Sequence, residues 1–209
     1  RWVEGETSVG DARLIVEFRQ LSPYLHGPIA LVRAGDVPMG LYDGERFASA
    51  GFGVPLVAVT PRCADRPLCK LLPREGVFRP ATAWIEPTGP EHGAKVRLVV
   101  ADALKVGSLT VGGARYPLAV DTSAFYALGA GMSSLRRLAI WGLIGGDEVG
   151  RRAGIYILDE YDPAKRPIVM IHGLGSHPIG SPTQSGAIPN CGRAIRSGTS
   201  CTRPMRRCS

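Results

Sequence analysis

From residue 12 to about residue 120, hydrophobic positions come in short runs separated by clusters of Gly, Pro and Asp. Runs this short, some alternating between polar and apolar residues, are typical of β-strands rather than amphipathic helices. The predicted strands cover residues 12–18, 28–32, 54–60, 81–85 and 94–100. In residues 95–99 basic and apolar side chains alternate, which indicates a strand with one face in water. The pattern predicts an antiparallel sandwich or barrel.

A hairpin is predicted immediately after these strands. Residues 109–111 and 114–120 form two further apolar runs, joined by Gly112 and Gly113. A two-residue loop of this composition supplies the positive φ angles that a primed hairpin turn requires.

The pattern changes to a helical period after residue 120. Residues 124–128 predict a short helix, and residues 133–143 predict a second helix behind serine N-cap candidates. A strand is predicted at 153–158, and the wholly apolar run 168–171 is typical of a strand buried in a parallel sheet. The helical segment would therefore connect two modules.

Residues 183–209 contain no Leu, Val, Phe, Trp or Tyr. Such a segment buries too little apolar surface to offset the entropy of ordering, so a disordered C-terminal tail is predicted. Our hypothesis is that this tail is an out-of-frame translation of a GC-rich gene. The alternative is a genuine basic tail that binds nucleic acid or anionic lipid. The tail has no Lys and no aromatic residue on which bases could stack, which argues against this alternative.

The formal net charge of +7 is concentrated in that tail. Residues 181–209 hold five arginines and no acid, which leaves a charge of +2 for residues 1–180. We therefore predict no nucleic-acid partner. No apolar run reaches the ~18 residues of a membrane-spanning helix. The chain starts without Met or signal-peptide features, so we interpret its N-terminus as internal; the compartment is undefined, and the cell envelope is compatible.

Two of the five cysteines, Cys63 and Cys69, lie in a polar, turn-rich loop. They could form a disulfide in an oxidising compartment or stay as two free thiols. No histidine has the spacing of a zinc site, so no metal is predicted.

No cofactor is predicted either. The pairs Gly51/Gly53 and Gly129/Gly131 lack the third glycine of a dinucleotide loop. The carboxylates Glu86, Glu91 and Asp102 form no spaced pair, and we predict that they are solvated surface groups.

The most informative motif is the strand at 167–171 followed by His172, Gly173, Leu174 and Gly175. Acyl transfer needs backbone N–H donors aimed at a developing oxyanion, and glycines allow close approach of the backbone. A loop after such a strand can supply one donor.

The segment YDPAKRPIVMIHGLGSHPIGSP, residues 161–182, resembles bacterial α/β-hydrolases of the lipase/esterase type. A softer similarity extends upstream, so that the resemblance covers most of residues 30–182. It implies that Leu174 donates the oxyanion-loop N–H, while His172 and Gly173 shape the turn and His172 is not the base. It also implies a serine nucleophile and a small-molecule or lipid ester substrate.

The chain departs from this family after the motif. No serine has Gly two residues before and two residues after it, and no histidine follows where the catalytic base would stand. We therefore expect a hydrolase fragment, truncated after the motif, without its catalytic triad and without activity. The alternative is a non-enzymatic β-sandwich module for binding or interaction; membrane association is not predicted either way.

The predicted organisation has four parts. They are a β-rich, sandwich-like domain at 1–128, a helical connection at 129–152, the first strands of an α/β-hydrolase fold at 153–182, and the tail at 183–209. The predicted fold class is accordingly mixed α and β.

Overall fold

The computed structural model describes residues 1–10, 12–40, 45–88, 96–132 and 154–157. Over these residues the protein is a mixed, strand-rich structure with few helices, as the β-rich pattern predicts. In this part of the chain, no helix is long and apolar enough to cross a membrane.

Ten strands and two α-helices occur in the described ranges. In chain order they are β1 (Gly5–Val9), β2 (Ala12–Arg19), β3 (Ala30–Arg33), β4 (Ala48–Ser49), β5 (Val54–Thr60), β6 (Val77–Pro87), β7 (Val96–Ala101), α1 (Ala103–Val106), β8 (Ser108–Val111), β9 (Ala114–Pro117), β10 (Val120–Asp121) and α2 (Ala124–Met132). The sequence pattern predicted β5 at its observed bounds but missed β1 and α1.

Six strands form one sheet in the order β1-β2-β7-β6-β5-β3. All neighbours are antiparallel except β2 and β7, which pair in parallel from Leu14 opposite Val96 to Arg19 opposite Ala101. The predicted antiparallel arrangement therefore holds for four of the five strand pairings and is wrong for β2 with β7. Alternation of apolar and polar residues is the same for a strand that runs in either direction, so the pattern could not reveal this pairing.

The remaining strands form two small pairs, β10 with β4 and β8 with β9. Within the described residues, the large sheet therefore faces no second sheet of comparable size, in contrast to the predicted sandwich. Loops, a hairpin and helices cover it instead.

Both faces of the large sheet are buried at its centre, in β5, β6 and β7, whereas edge strand β1 is exposed. One, the disulfide face, presents Ala58, Ala81, Ala83 and Val100 to the loops around Tyr24 and the Cys63–Cys69 bridge. The other, the helix face, presents side chains that pack against α1, α2 and the β8–β9 hairpin; these are Val57, Trp84, Val99 and Ala101. Each fully buried aliphatic side chain of valine size stabilises the fold by about 1.5–3 kcal/mol.

The β8–β9 hairpin confirms the predicted turn. Gly112 and Gly113 have φ angles of 58° and 83°, the positive values that a primed turn requires. The hairpin is tied to the sheet through Phe52, whose N–H donates to the Pro117 carbonyl at 2.8 Å and whose carbonyl accepts from Ala119 at 3.0 Å.

Helix α2 begins at a buried carboxylate. Asp121 Oδ1 accepts from the N–H groups of Ser123 and Ala124, while its Oδ2 pairs with Arg46 at 2.7 Å. A negative charge stabilises this positive end of the helix dipole. The helix continues to Met132, beyond the predicted end at residue 128.

The predicted helix at 133–143 and the strand at 167–171 lie outside the described residues. Of the strand predicted at 153–158, the described part Gly154–Ile157 belongs to no sheet. It docks instead through one backbone hydrogen bond, from Ile157 N–H to the Leu71 carbonyl at 2.8 Å.

Gly51→Ala tests the close approach of the hairpin strand. A Cβ at residue 51 would lie 2.5 Å from the Pro117 carbonyl oxygen and 2.6 Å from the Ala119 nitrogen. Both are backbone atoms, so neither can move away unless the surrounding chain moves with it. We expect a loss of about 1–3 kcal/mol in the free energy of unfolding, measured by urea denaturation. Gly35→Ala is the control, because a Cβ there meets nothing within 4 Å; equal losses in both variants would contradict the prediction.

Candidate functional site

The residues predicted to form an oxyanion loop, His172, Gly173, Leu174 and Gly175, lie outside the described residues. The nearest described segment before them is Gly154–Ile157. Among the described residues, candidate functional groups lie where this segment meets the β-rich body and in the charged clusters of that body.

The segment docks on the loop closed by a Cys63–Cys69 disulfide. This bridge decides between the two states that the sequence left open. Cys69 is buried and begins a short turn in which its carbonyl accepts from Leu72 N–H at 3.2 Å. The side chain of Ile157 packs against the same core, so the disulfide loop holds the point where the chain returns to the body.

Asp65 lies close to the bridge. Its carboxylate and the sulfur atoms of Cys63 and Cys69 lie within 4.8 Å of one another. Zinc binds thiolate sulfur, whereas here the two sulfur atoms are bonded to each other. This group of atoms is therefore not a thiolate metal site in the disulfide form.

A basic cavity opens between the disulfide loop and the docked segment. Its volume is about 290 Å³, and its lining residues are Arg62, Lys70, Leu71, Arg74, Gly154, Ile155 and Tyr156. At the wall, Arg62 Nη1 donates to the Leu72 carbonyl at 3.4 Å. Among these described lining residues there are three cations and no carboxylate.

A second charged cluster lies at the open end of the helix face. Arg19 pairs with Glu17 at 2.8 Å and with Glu86 at 3.3 Å, and Arg97 lies 3.4 Å from Glu17. Trp84 Nε1 donates to Glu86 at 2.7 Å, and the Arg19 guanidinium stacks 5.4 Å from the Trp84 ring centroid. The cluster thus joins neighbouring strands β2, β7 and β6.

The pKa values of this cluster follow from its hydrogen bonds. The bond to Glu17 is the largest of the influences that raise the pKa of Arg19. Burial alone would raise the pKa of Glu86, but the bonds from Trp84 and Arg19 and the charges of Arg19 and Arg97 outweigh it and lower the pKa. Glu86 therefore stays ionised and paired, which suits cross-strand stabilisation rather than proton transfer.

Asp102 is also not the solvated group that the sequence predicted. Its residue is only 6% exposed, and its carboxylate caps α1 by accepting from Leu104 N–H at 2.9 Å. The sequence carried a signal for this role, an Asp before an apolar run that ends at Gly107. Burial is the main cause that raises the pKa of Asp102, against the Leu104 bond and the charges of Lys105 and Arg79.

No serine–histidine pair is formed in the described ranges. His26 is the sole histidine there, and its Nδ1 lies 3.0 Å from the Tyr24 carbonyl oxygen. Glu91, the third carboxylate singled out in the sequence, lies outside the described residues. The described part of the chain therefore offers charge and a cavity rather than an activated nucleophile.

Comparison with known proteins yields no match: no family model, curated protein or solved structure is similar to this chain. The resemblance to hydrolases therefore rests on the sequence motif and its flanking residues.

Replacing Cys63 and Cys69 by alanine tests the contribution of the bridge. Closing a loop of this length stabilises a fold by about 2 kcal/mol, because it removes conformational entropy from the unfolded chain. We expect that loss in urea denaturation, together with faster hydrogen exchange of the Ile157 N–H. Both forms should carry serine at Cys191, Cys201 and Cys208, so that no other thiol interferes. The prediction would be wrong if the alanine variant unfolded at the same urea midpoint as the form that keeps the bridge.

Asp102→Asn tests the raised pKa. Since the folded pKa lies above the unfolded value, the stabilising contribution of Asp102 is fully present below the unfolded pKa and is lost as the pH rises through the folded pKa. The asparagine keeps an oxygen acceptor for Leu104 N–H and never ionises. The free energy of unfolding of the variant, relative to wild type, should therefore increase from about pH 3 to about pH 7.

Asp102→Ala provides the matched control. It removes the cap acceptor as well as the charge, so it should be less stable than Asp102→Asn at every pH, by about 1 kcal/mol. A difference between Asp102→Asn and wild type that does not vary with pH would refute the assignment.

Proposed function

We propose that this chain is part of a serine α/β-hydrolase of the lipase/esterase type, which cleaves carboxyl esters or similar acyl bonds. The observation that carries the proposal is the apolar strand at 167–171 followed by His172-Gly-Leu-Gly175. The finer fold assignment, in which residues 153–182 are the start of an α/β-hydrolase domain, belongs to the same proposal. The substrate class is a small-molecule or lipid ester.

In this proposal Leu174 acts through its backbone. Its N–H donates to the oxygen that becomes negatively charged in the tetrahedral intermediate, while His172 and Gly173 shape the turn. A second donor comes from the residue after the nucleophile in this family. These 209 residues contain no Gly-x-Ser-x-Gly, so they supply at most one half of the oxyanion hole, and we propose that they have no esterase activity.

The docking of Gly154–Ile157 supports a role for the β-rich body as a platform. The hydrogen bond from Ile157 to Leu71 fixes the chain a short distance before the apolar strand at 167–171. A fixed starting point limits the positions that the following segment can reach. The body would thus orient the first part of the hydrolase sheet.

Ester turnover by the full chain, residues 1–209, tests the first part of this proposal. With a short-chain p-nitrophenyl ester, we expect no release of p-nitrophenol above that of heat-denatured protein, because the nucleophile is missing. Labelling by a fluorophosphonate probe should also be absent. Turnover that survives purification and disappears on heating would show that our account of the missing nucleophile is wrong.

The family assignment is tested by reading the gene beyond codon 182 in the other two frames. We expect one frame to encode Gly-x-Ser-x-Gly followed by an acid and a histidine. In a chain continued in that frame, Leu174→Pro should lower kcat by about 10²–10³, since it removes one oxyanion donor. Leu174→Ala keeps the N–H and should retain activity. The proposal fails if neither frame contains the elbow.

A second candidate function is a non-enzymatic binding module. The basic cavity between the disulfide loop and Gly154–Ile157 favours it, because it lies in the described part of the chain and needs no catalytic triad. Absence of ester turnover together with ligand binding in this cavity would support this function.

A further inference from the structure

We propose that the cavity lined by Arg62, Lys70 and Arg74 is a binding site for a phosphate monoester that carries a small apolar group. The proposal uses described residues alone and does not depend on the hydrolase function. It would stand if this chain and every extension of it lacked esterase activity.

The first argument is the charge of the lining. Three cationic side chains share a cavity of about 290 Å³, with no carboxylate among its described lining residues. Like charges held in a concave site repel one another and focus a positive potential, which an anion relieves. Residues 1–180 carry a net charge of only +2. Three cations in one cavity are therefore a local feature and do not reflect a generally basic chain.

The same loop also carries two acids. Asp65 pairs with Arg66 at 3.9 Å. Neither Asp65 nor Glu75, which follows Arg74 in the chain, belongs to the lining. All the charged residues in the described lining are therefore cations, even though the loop carries both signs of charge.

The type of donor indicates phosphate. Two guanidinium groups offer the paired N–H geometry that suits tetrahedral oxyanions, and lysine adds a compact positive charge. Arg62 Nη1 donates one hydrogen bond to the Leu72 carbonyl. This bond orients the guanidinium group, and its other N–H donors can bind a phosphate. A dianion can satisfy three cations more fully than a single carboxylate can.

The size and rim of the cavity indicate what the phosphate carries. A volume of about 290 Å³ is at the small end of ligand pockets. Leu71 and Tyr156 are partly exposed at its wall and Ile155 is 80% exposed, so apolar surface lies next to the cations. A short alkyl or aryl group attached to the phosphate would cover this surface. The same chemistry occurs in soluble phosphate esters and in the headgroup of phosphatidic acid.

The test is isothermal titration calorimetry of the whole chain with phenyl phosphate, compared with inorganic phosphate and benzoate. We expect phenyl phosphate to bind at least tenfold more tightly than benzoate. Arg74→Gln and Lys70→Gln should each weaken phenyl phosphate binding about tenfold, which corresponds to about 1.4 kcal/mol. Arg62→Gln should weaken it further, because it removes a paired donor held at the wall.

Arg66→Gln is the matched control. Arg66 is exposed in the same loop and carries the same charge, but it is paired with Asp65 and does not line the cavity. The affinity of the Arg66→Gln variant for phenyl phosphate should stay within about twofold of wild type, a change of less than about 0.5 kcal/mol. The proposal is overturned if phenyl phosphate does not bind to wild type, or if Arg66→Gln weakens binding as much as Arg74→Gln.

Vesicles distinguish the two sources of the phosphate group. Phosphatidylcholine vesicles are compared in flotation assays with and without phosphatidic acid, using wild type and Arg74→Gln. Binding of phenyl phosphate with Arg74-dependent flotation identifies a lipid headgroup, and binding without flotation identifies a soluble ester; both support the site. Flotation of wild type and Arg74→Gln to the same extent, with no phenyl phosphate binding, counts against it.

Discussion

The structure depends on one constraint, that both faces of the central strands of a single six-stranded sheet must be buried. Successive strand residues point to opposite faces, and the neighbouring pairs Val57–Ala58 and Val99–Val100 are all 0% exposed. Two different coverings satisfy this constraint. The disulfide loop covers one face, and α1, α2 and the β8–β9 hairpin cover the other. Asp102 and Asp121 are buried as a consequence, because each caps a helix that closes the helix face.

The sequence predicted those features that depend on nearby residues. The strand Val54–Thr60 and the turn at Gly112 and Gly113 follow from local composition and appear as expected. The parallel pairing of β2 with β7 and the burial of Asp102 depend on residues far apart along the chain, which a pattern of apolar positions cannot encode. The role of Asp102 as a helix cap had a local signal, the apolar run that ends at Gly107, but the burial of its carboxylate had none.

The two candidate sites differ in the same way, since one depends on nearby residues and the other on residues far apart in the chain. The motif at His172-Gly-Leu-Gly175 was found because its chemistry lies in consecutive residues. The basic cavity joins Arg62, Lys70 and Arg74 to the segment Gly154–Ile157, which follows much later in the chain. The low net charge of residues 1–180, only +2, concealed this local concentration of cations. Only the folded arrangement brings them together.

The parallel pairing of β2 and β7 also bears on the order in which the sheet can assemble. Its partners Leu14 and Val96 are far apart in the sequence, and long-range pairings form slowly because the intervening chain must first be closed into a loop. As the chain is synthesised, the β1–β2 hairpin has its inner edge uncovered until β7 has emerged. Strand β2 precedes β3 to β7 in the chain and is nevertheless among the last strands of this sheet to be paired along both edges.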